Sequence, residues 1–282
     1  MKESTLRPEP YVGVSGVVSP DQQHEIESYV AEMGLTQRRL LLGVKAVHKT
    51  QFLDIENKYG QAWYPVGPDA FNKALAPKTE NTTSLAIAQT YLDQDMVENA
   101  GYRELFMDRL LQRGGPWIDG IQFDMLPWHS DSKMLHFLEN LKQRTGTKIL
   151  LQVHQPAMDK LTPSEAASML GDFGNSLDYV LFDASHGTGK RLNTAALTDY
   201  LSAVYEEKTI ANTGFAIAGG LNETAVREDL PEVIDKFPDV SWDAEGQLHP
   251  IVPHDSERPL DMSIVRAYLE ASRRVIVTSE QA

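Results

Sequence analysis

The chain has 282 residues, 41% of them hydrophobic and 23% charged, a balance that buries a sizeable core and excludes a largely disordered or fibrous protein. Its 26 Lys plus Arg against 40 Asp plus Glu leave a formal charge of −14, which disfavours nucleic acid as a partner because binding there depends on neutralising phosphates. No cysteine is present, so disulfides, thiolate metal ligands and thiol nucleophiles are excluded together. No apolar run approaches the roughly 20 residues of a membrane span and residues 1–10 lack the apolar core of a secretory signal, so a cytoplasmic protein without membrane attachment is expected.

Residues 1–10 read as a flexible lead-in. A strand is expected over 11–18, followed by a helix to Met33 that Ser19, Pro20 and Gln22 open as cap, first-turn proline and box residue, and that Gly34 closes. The run 40–44 is a second buried strand ending in Lys45. The stretch 49–81 is long and rich in turn residues, and it reads as an enlarged loop with its own short helix around 69–75. Further strands are expected over 83–88, 118–123, 148–153, 179–182 and 215–218, with a weak eighth over 240–243. Helices are expected between them over 96–112, from a capping box at Thr162 and Glu165, over 195–205 and over 223–237. After a polar loop at 245–259, a last helix is expected over 261–274. Eight strand-helix pairs in alternation predict an α/β fold, a single (β/α)8 TIM barrel over 11–276 with enlarged loops after its second and eighth strands.

Each apolar run ends in polar residues, which is how a buried strand delivers chemistry to the carboxyl end of a barrel. Asp183 ends the sixth run just before Gly187-Thr188-Gly189-Lys190. Gln122 and Asp124 end the fourth, His154 the fifth and Lys45 the second, where a cation could hold a substrate carboxylate, form a Schiff base or, equally well, be a surface lysine paired with one of the many acids. Asp124, His154 and His186 together with Asp183 could converge on a metal, but no HxH or HExxH spacing is present, so hydrogen bonding in a polar mouth is preferred and neither metal nor cofactor is expected. His48, His129, His249 and His254 fall in expected loops and read as solvated. Trp63 and Tyr64 fit an aromatic lid or simple loop packing equally well.

The motifs at these strand ends resemble those of the phosphoribosylanthranilate isomerases of tryptophan biosynthesis. The resemblance rests on Leu181-Phe182-Asp183 followed by Gly187-Thr188-Gly189-Lys190, and on Ala218-Gly219-Gly220-Leu221-Asn222. It implies a barrel of the phosphate-binding type and an isomerase that converts a phosphorylated sugar-amine from aldose to ketose form. Asp183 would be the general acid, and Ser15 would stand where that family carries its basic cysteine. Lys45, Gln122, Asp124, His154, His186, Gly219, Gly220 and Gly246 would bind a small phosphorylated substrate, with the oligomeric state open. The eighth-strand loop departs from the family by placing Asp243 and Glu245 where an anion should sit. Two readings of other classes stand beside the isomerase: a barrel that binds a phosphorylated metabolite without turnover, and a metal-assisted lyase or hydrolase using Asp124, His154 and Asp183.

Overall fold

The computed structural model describes residues 7–57, 60–75, 84–92, 94–124, 132–184, 192–250 and 258–281. Its eight strands are β1 (Tyr11–Ser15), β2 (Arg39–Lys45), β3 (Leu85–Tyr91), β4 (Gly120–Asp124), β5 (Lys148–His154), β6 (Tyr179–Asp183), β7 (Gly214–Ala218) and β8 (Ser241–Ala244). They are parallel and close in sequence order into a barrel, β8 returning to β1 with Asp243 opposite Gly13. Helices alternate with the strands, so the expected (β/α)8 architecture is the one found.

Strand side chains point alternately inward and outward. The outward set, which includes Val12, Leu42, Phe123, Val153, Phe182 and Ile217, is buried beneath the helices. The inward set begins with Tyr11, Leu41, Leu85, Leu150, Tyr179 and Leu181, which form a second apolar cluster inside the barrel. With both faces covered, the strands read as nearly continuous apolar runs. Two or four residues further along the same inward faces stand Ser15, Gln89, Gln152 and Asp183, so the barrel interior changes from apolar to polar towards the carboxyl ends of its strands.

Local chemistry explains where the helices start and stop. Ser19 accepts from the Gln22 N–H at the start of Pro20–Met33, and Gly34, with φ 62°, terminates that helix in the left-handed region. Thr162 and Glu165 complete a reciprocal capping box on Pro163–Gly171. The helix expected over 223–237 is two helices, Glu223–Glu228 and Leu230–Lys236, because Pro231 cannot donate to the turn before it. The one expected over 96–112 is likewise Gln94–Glu98 followed by Ala100–Gly114, the second capped by Asn99. The last helix, Met262–Gln281, extends beyond the expected end.

Two strand boundaries differ from expectation in ways that matter for the site. β1 stops at Ser15, where Gly16 turns the chain at φ 92°. β3 runs on to Tyr91, which places Gln89 within the hydrogen-bonded sheet instead of just beyond it. Between β2 and β3 the described residues include helices His48–Phe52 and Gly67–Ala74, and a short 3-10 turn, Gly246–Leu248, follows β8.

Candidate active site

A cavity opens at the carboxyl ends of the strands. Its lining brings together Lys45, Gln122, Asp124, Asp183, Gly219, Gly220 and Gly246, seven of the residues expected to form the site. It adds Gln89, Gln152, Asp243 and Glu245, which the sequence did not mark as functional groups. Ser15 is fully buried beneath this lining. His154 ends β5 beside Asp183 on β6 but does not line the cavity. His186 lies outside the described residues, as do Gly187 to Lys190, His129 and His254. Among the described residues no group of three His, Asp or Glu side chains is arranged to hold a metal ion.

Below the mouth the polar side chains form a hydrogen-bonded belt. The Ser15 hydroxyl donates to Asp243 Oδ2 at 2.8 Å and accepts from Gln89 Nε2 at 2.6 Å. Gln89 Nε2 also reaches Gln122 Oε1 at 3.4 Å, Gln122 Nε2 donates to Gln152 Oε1 at 2.7 Å, and Gln152 Nε2 donates to Asp183 Oδ2 at 3.2 Å. The belt therefore runs from β8 through β1, β3, β4 and β5 to β6, with a carboxyl group at each end. Every donor in it points towards one of those two carboxyls.

Two glycines make room for this arrangement. A Cβ on Gly43 would lie 2.4 Å from Ser15 Oγ and 2.7 Å from Gln89 Nε2, and one on Gly13 would lie 2.5 Å from Asp243 Oδ1. No side chain fits at either position without displacing the belt.

Asp243 is 5% exposed, and its Oδ1 has no hydrogen-bond partner among the described residues. Burial raises its pKa from 3.8 to about 7; the Ser15 hydrogen bond opposes the rise and the charges of Glu245 and Asp183 add to it. A carboxyl poised near neutrality can both take and return a proton under ordinary conditions.

Lys45 is committed elsewhere. Its Nζ lies 2.6 Å from Glu245 Oε1 and 5.1 Å from the centre of the Tyr64 ring. Burial, the largest single influence, works to lower the lysine pKa, but Glu245, Tyr64 and Asp124 together more than reverse it and hold the amine protonated. A Schiff-base role, which needs the neutral amine, does not fit that state. The ion pair also resolves the objection that two carboxylates would repel an anionic ligand: Glu245 is neutralised by Lys45, and Asp243 turns inward to Ser15.

Two of the histidines are not solvated as expected. His249 is 1% exposed, bonds through Nδ1 to the Arg258 carbonyl and stacks on Trp63 with ring centres 3.8 Å apart and planes within 7°. The stack ties the segment after β2 to the segment after β8, and burial lowers the pKa of His249. His48 opens a short helix, meets the Tyr102 hydroxyl and packs edge-on against Tyr102 and Phe106.

No family model matches the sequence, and no curated protein sequence matches it either. In three dimensions the chain is similar to the tryptophan synthase alpha chain of Legionella pneumophila subsp. pneumophila, with TM-score 0.56 and 14% identity over 96% of this chain and 92% of that one. It is also similar to a protein from Aquifex aeolicus VF5, with TM-score 0.54 and 10% identity over 97% and 93% of the two chains. At such identities the likeness establishes the barrel fold. It also corrects the isomerase expectation: the named neighbour is a tryptophan synthase alpha chain, a lyase, and not a phosphoribosylanthranilate isomerase.

Proposed function

We propose that the chain is a barrel lyase that cleaves a small phosphorylated substrate by acid-base catalysis, with Asp243 and Asp183 as its two proton-exchanging carboxyls. One observation carries the reading: a buried carboxyl with its pKa near 7 lines the cavity at one end of the belt, and a second carboxyl lines it at the other. Asp243 takes a proton from the substrate as the bond breaks. Asp183 gives one to the departing fragment, and exchange with water restores both groups. In this reading Asp243 takes the base role in place of Ser15, whose hydroxyl donates to Asp243 and accepts from Gln89.

The phosphate has a place in this scheme at the cavity rim. Gly219 and Gly220, with φ 104° and 68°, turn the chain after β7, and Gly246 after β8 has open space where a Cβ would stand. All three line the cavity, so backbone N–H groups could approach an anion there. The Lys45–Glu245 pair keeps the neighbouring loop from repelling it.

The test is a cleavage assay on a panel of small phosphorylated compounds that includes the substrate of the tryptophan synthase alpha chain, with both products followed by mass spectrometry. Asp243→Asn and Asp183→Asn should each reduce cleavage by roughly 10² to 10⁴. Equal rates in wild type and Asp243→Asn would remove the proposed role. Tight binding with no cleavage would favour the barrel that binds a metabolite without turning it over.

A further inference from the structure

Among the described residues Asp243 receives one side-chain hydrogen bond, from Ser15, and its other oxygen receives none. The direction of that bond is not intrinsic to serine, whose hydroxyl rotates freely and both donates and accepts. Whether Ser15 stabilises the Asp243 carboxylate or turns away from it depends on what faces the remaining side of its oxygen. That neighbour is Gln89, 8% exposed, whose Nε2 lies 2.6 Å from Ser15 Oγ.

We propose that Gln89 is a positioning residue that fixes the Ser15 hydroxyl towards Asp243 and so sets the proton affinity of that carboxyl. An amide N–H facing Ser15 Oγ occupies a lone pair and leaves the hydroxyl hydrogen one charged acceptor, Asp243 Oδ2. The opposite amide orientation would put a carbonyl against Ser15, draw the hydroxyl hydrogen to itself and leave Asp243 without a hydrogen bond. The amide is held in its present sense from the far side as well, where the same Nε2 reaches Gln122 Oε1. The arrangement leaves Gln89 Oε1 buried with no hydrogen bond from the described residues, so among them the side chain is used through its nitrogen alone. Gly43 supports the same conclusion, since any Cβ there would collide with both partners of the Gln89–Ser15 contact.

This inference rests on Asp243 being the group that exchanges the proton, and its test reads that group without requiring turnover. The full chain is labelled with ¹³C at aspartate carboxyls, and the Asp243 resonance, assigned by its loss in Asp243→Asn, is followed against pH. Losing a hydrogen bond to a charged acceptor is worth about one to two pH units, so Ser15→Ala should raise the Asp243 midpoint by that amount. Gln89→Met, close in size and without a donor, should raise it by about half a unit to one unit on the same scale while Ser15 is still present. Should Gln89→Met fail to fold, Gln89→Glu serves instead: it offers Ser15 a competing acceptor and a second charge, and it should raise the midpoint at least as far. A midpoint unmoved by the Gln89 substitution but raised by Ser15→Ala would overturn the orienting role, and one unmoved by either would overturn the whole relay. Loss of catalysis with no change in midpoint would also count against Gln89 as a positioning residue. If the midpoints shift as stated but cleavage survives Asp243→Asn, the positioning stands and the lyase reading fails.

Discussion

At the scale of single residues, Asp243 ties the chemistry to stability. A carboxyl with a pKa of 3.8 unfolded and about 7 folded binds more protons in the folded chain across that interval. Its contribution to stability is therefore complete below the unfolded value and is lost as pH rises through the folded one. A difference of roughly three units corresponds to about 4 kcal/mol. Denaturant unfolding of wild type and Asp243→Asn should accordingly diverge with pH: between pH 4 and 8 the wild type loses on the order of 4 kcal/mol relative to the amide variant. Parallel stability profiles would show that Asp243 titrates as an ordinary surface carboxylate. Little in the chain's local pattern signals this role, because Asp243 ends a weak eighth strand and reads there mainly as an obstacle to phosphate. Its burial against Ser15 comes from the β8–β1 pairing that closes the barrel, a contact between residues 228 positions apart in the chain.

At the scale of elements, the strand runs and caps were legible because their causes are local. Apolar runs, the Ser19 and Thr162 caps and the Gly34 stop each act over a few residues. The inward polar belt was not legible, since Gln89 and Gln152 look like ordinary polar interruptions until inward parity and barrel closure bring them into one ring. The glycines opposite the belt are the signal that could have found it: β1 and β2 carry Gly13 and Gly43 inside otherwise apolar strands, where a glycine marks a close approach. Gly43→Ala should therefore destabilise the fold by about 1–3 kcal/mol, as overpacking does, and should also shift the Asp243 titration. A neutral substitution would mean that the belt has slack. The clasp between the segments after β2 and β8 gives a separate prediction. Trp63→Ala removes the face on which His249 stacks, so amide exchange at 246–249 should accelerate while the central strands keep their protection. Unchanged exchange there would show that the stack is not what holds this segment, leaving it to the Lys45–Glu245 pair and the backbone bonds of Leu248.

At the scale of the whole molecule, the charge of −14 and the acidic residues in the cavity make the phosphate handle the most exposed part of the functional reading. If the backbone at Gly219 and Gly220 receives the anion, Gly220→Asp should weaken binding of a phosphorylated ligand at least ~tenfold in calorimetry, alongside the modest loss of thermal stability that a side chain at φ 68° brings. Indifference at Gly220 would place the handle elsewhere. The resemblance read from the sixth and seventh strand ends agreed with the barrel that the alternation predicts and singled out Asp183, but it led to the wrong reaction, because the rest of the belt, from Asp243 and Ser15 to the three glutamines, stands on β8, β1, β3, β4 and β5. The proposed chemistry requires one buried carboxyl to be half protonated near neutral pH at the floor of the cavity. Its most direct test is the pH titration of the ¹³C-labelled Asp243 carboxyl in the folded wild-type protein: a midpoint near 7 is predicted, and a midpoint at the ordinary aspartate value near 3.8 would contradict it.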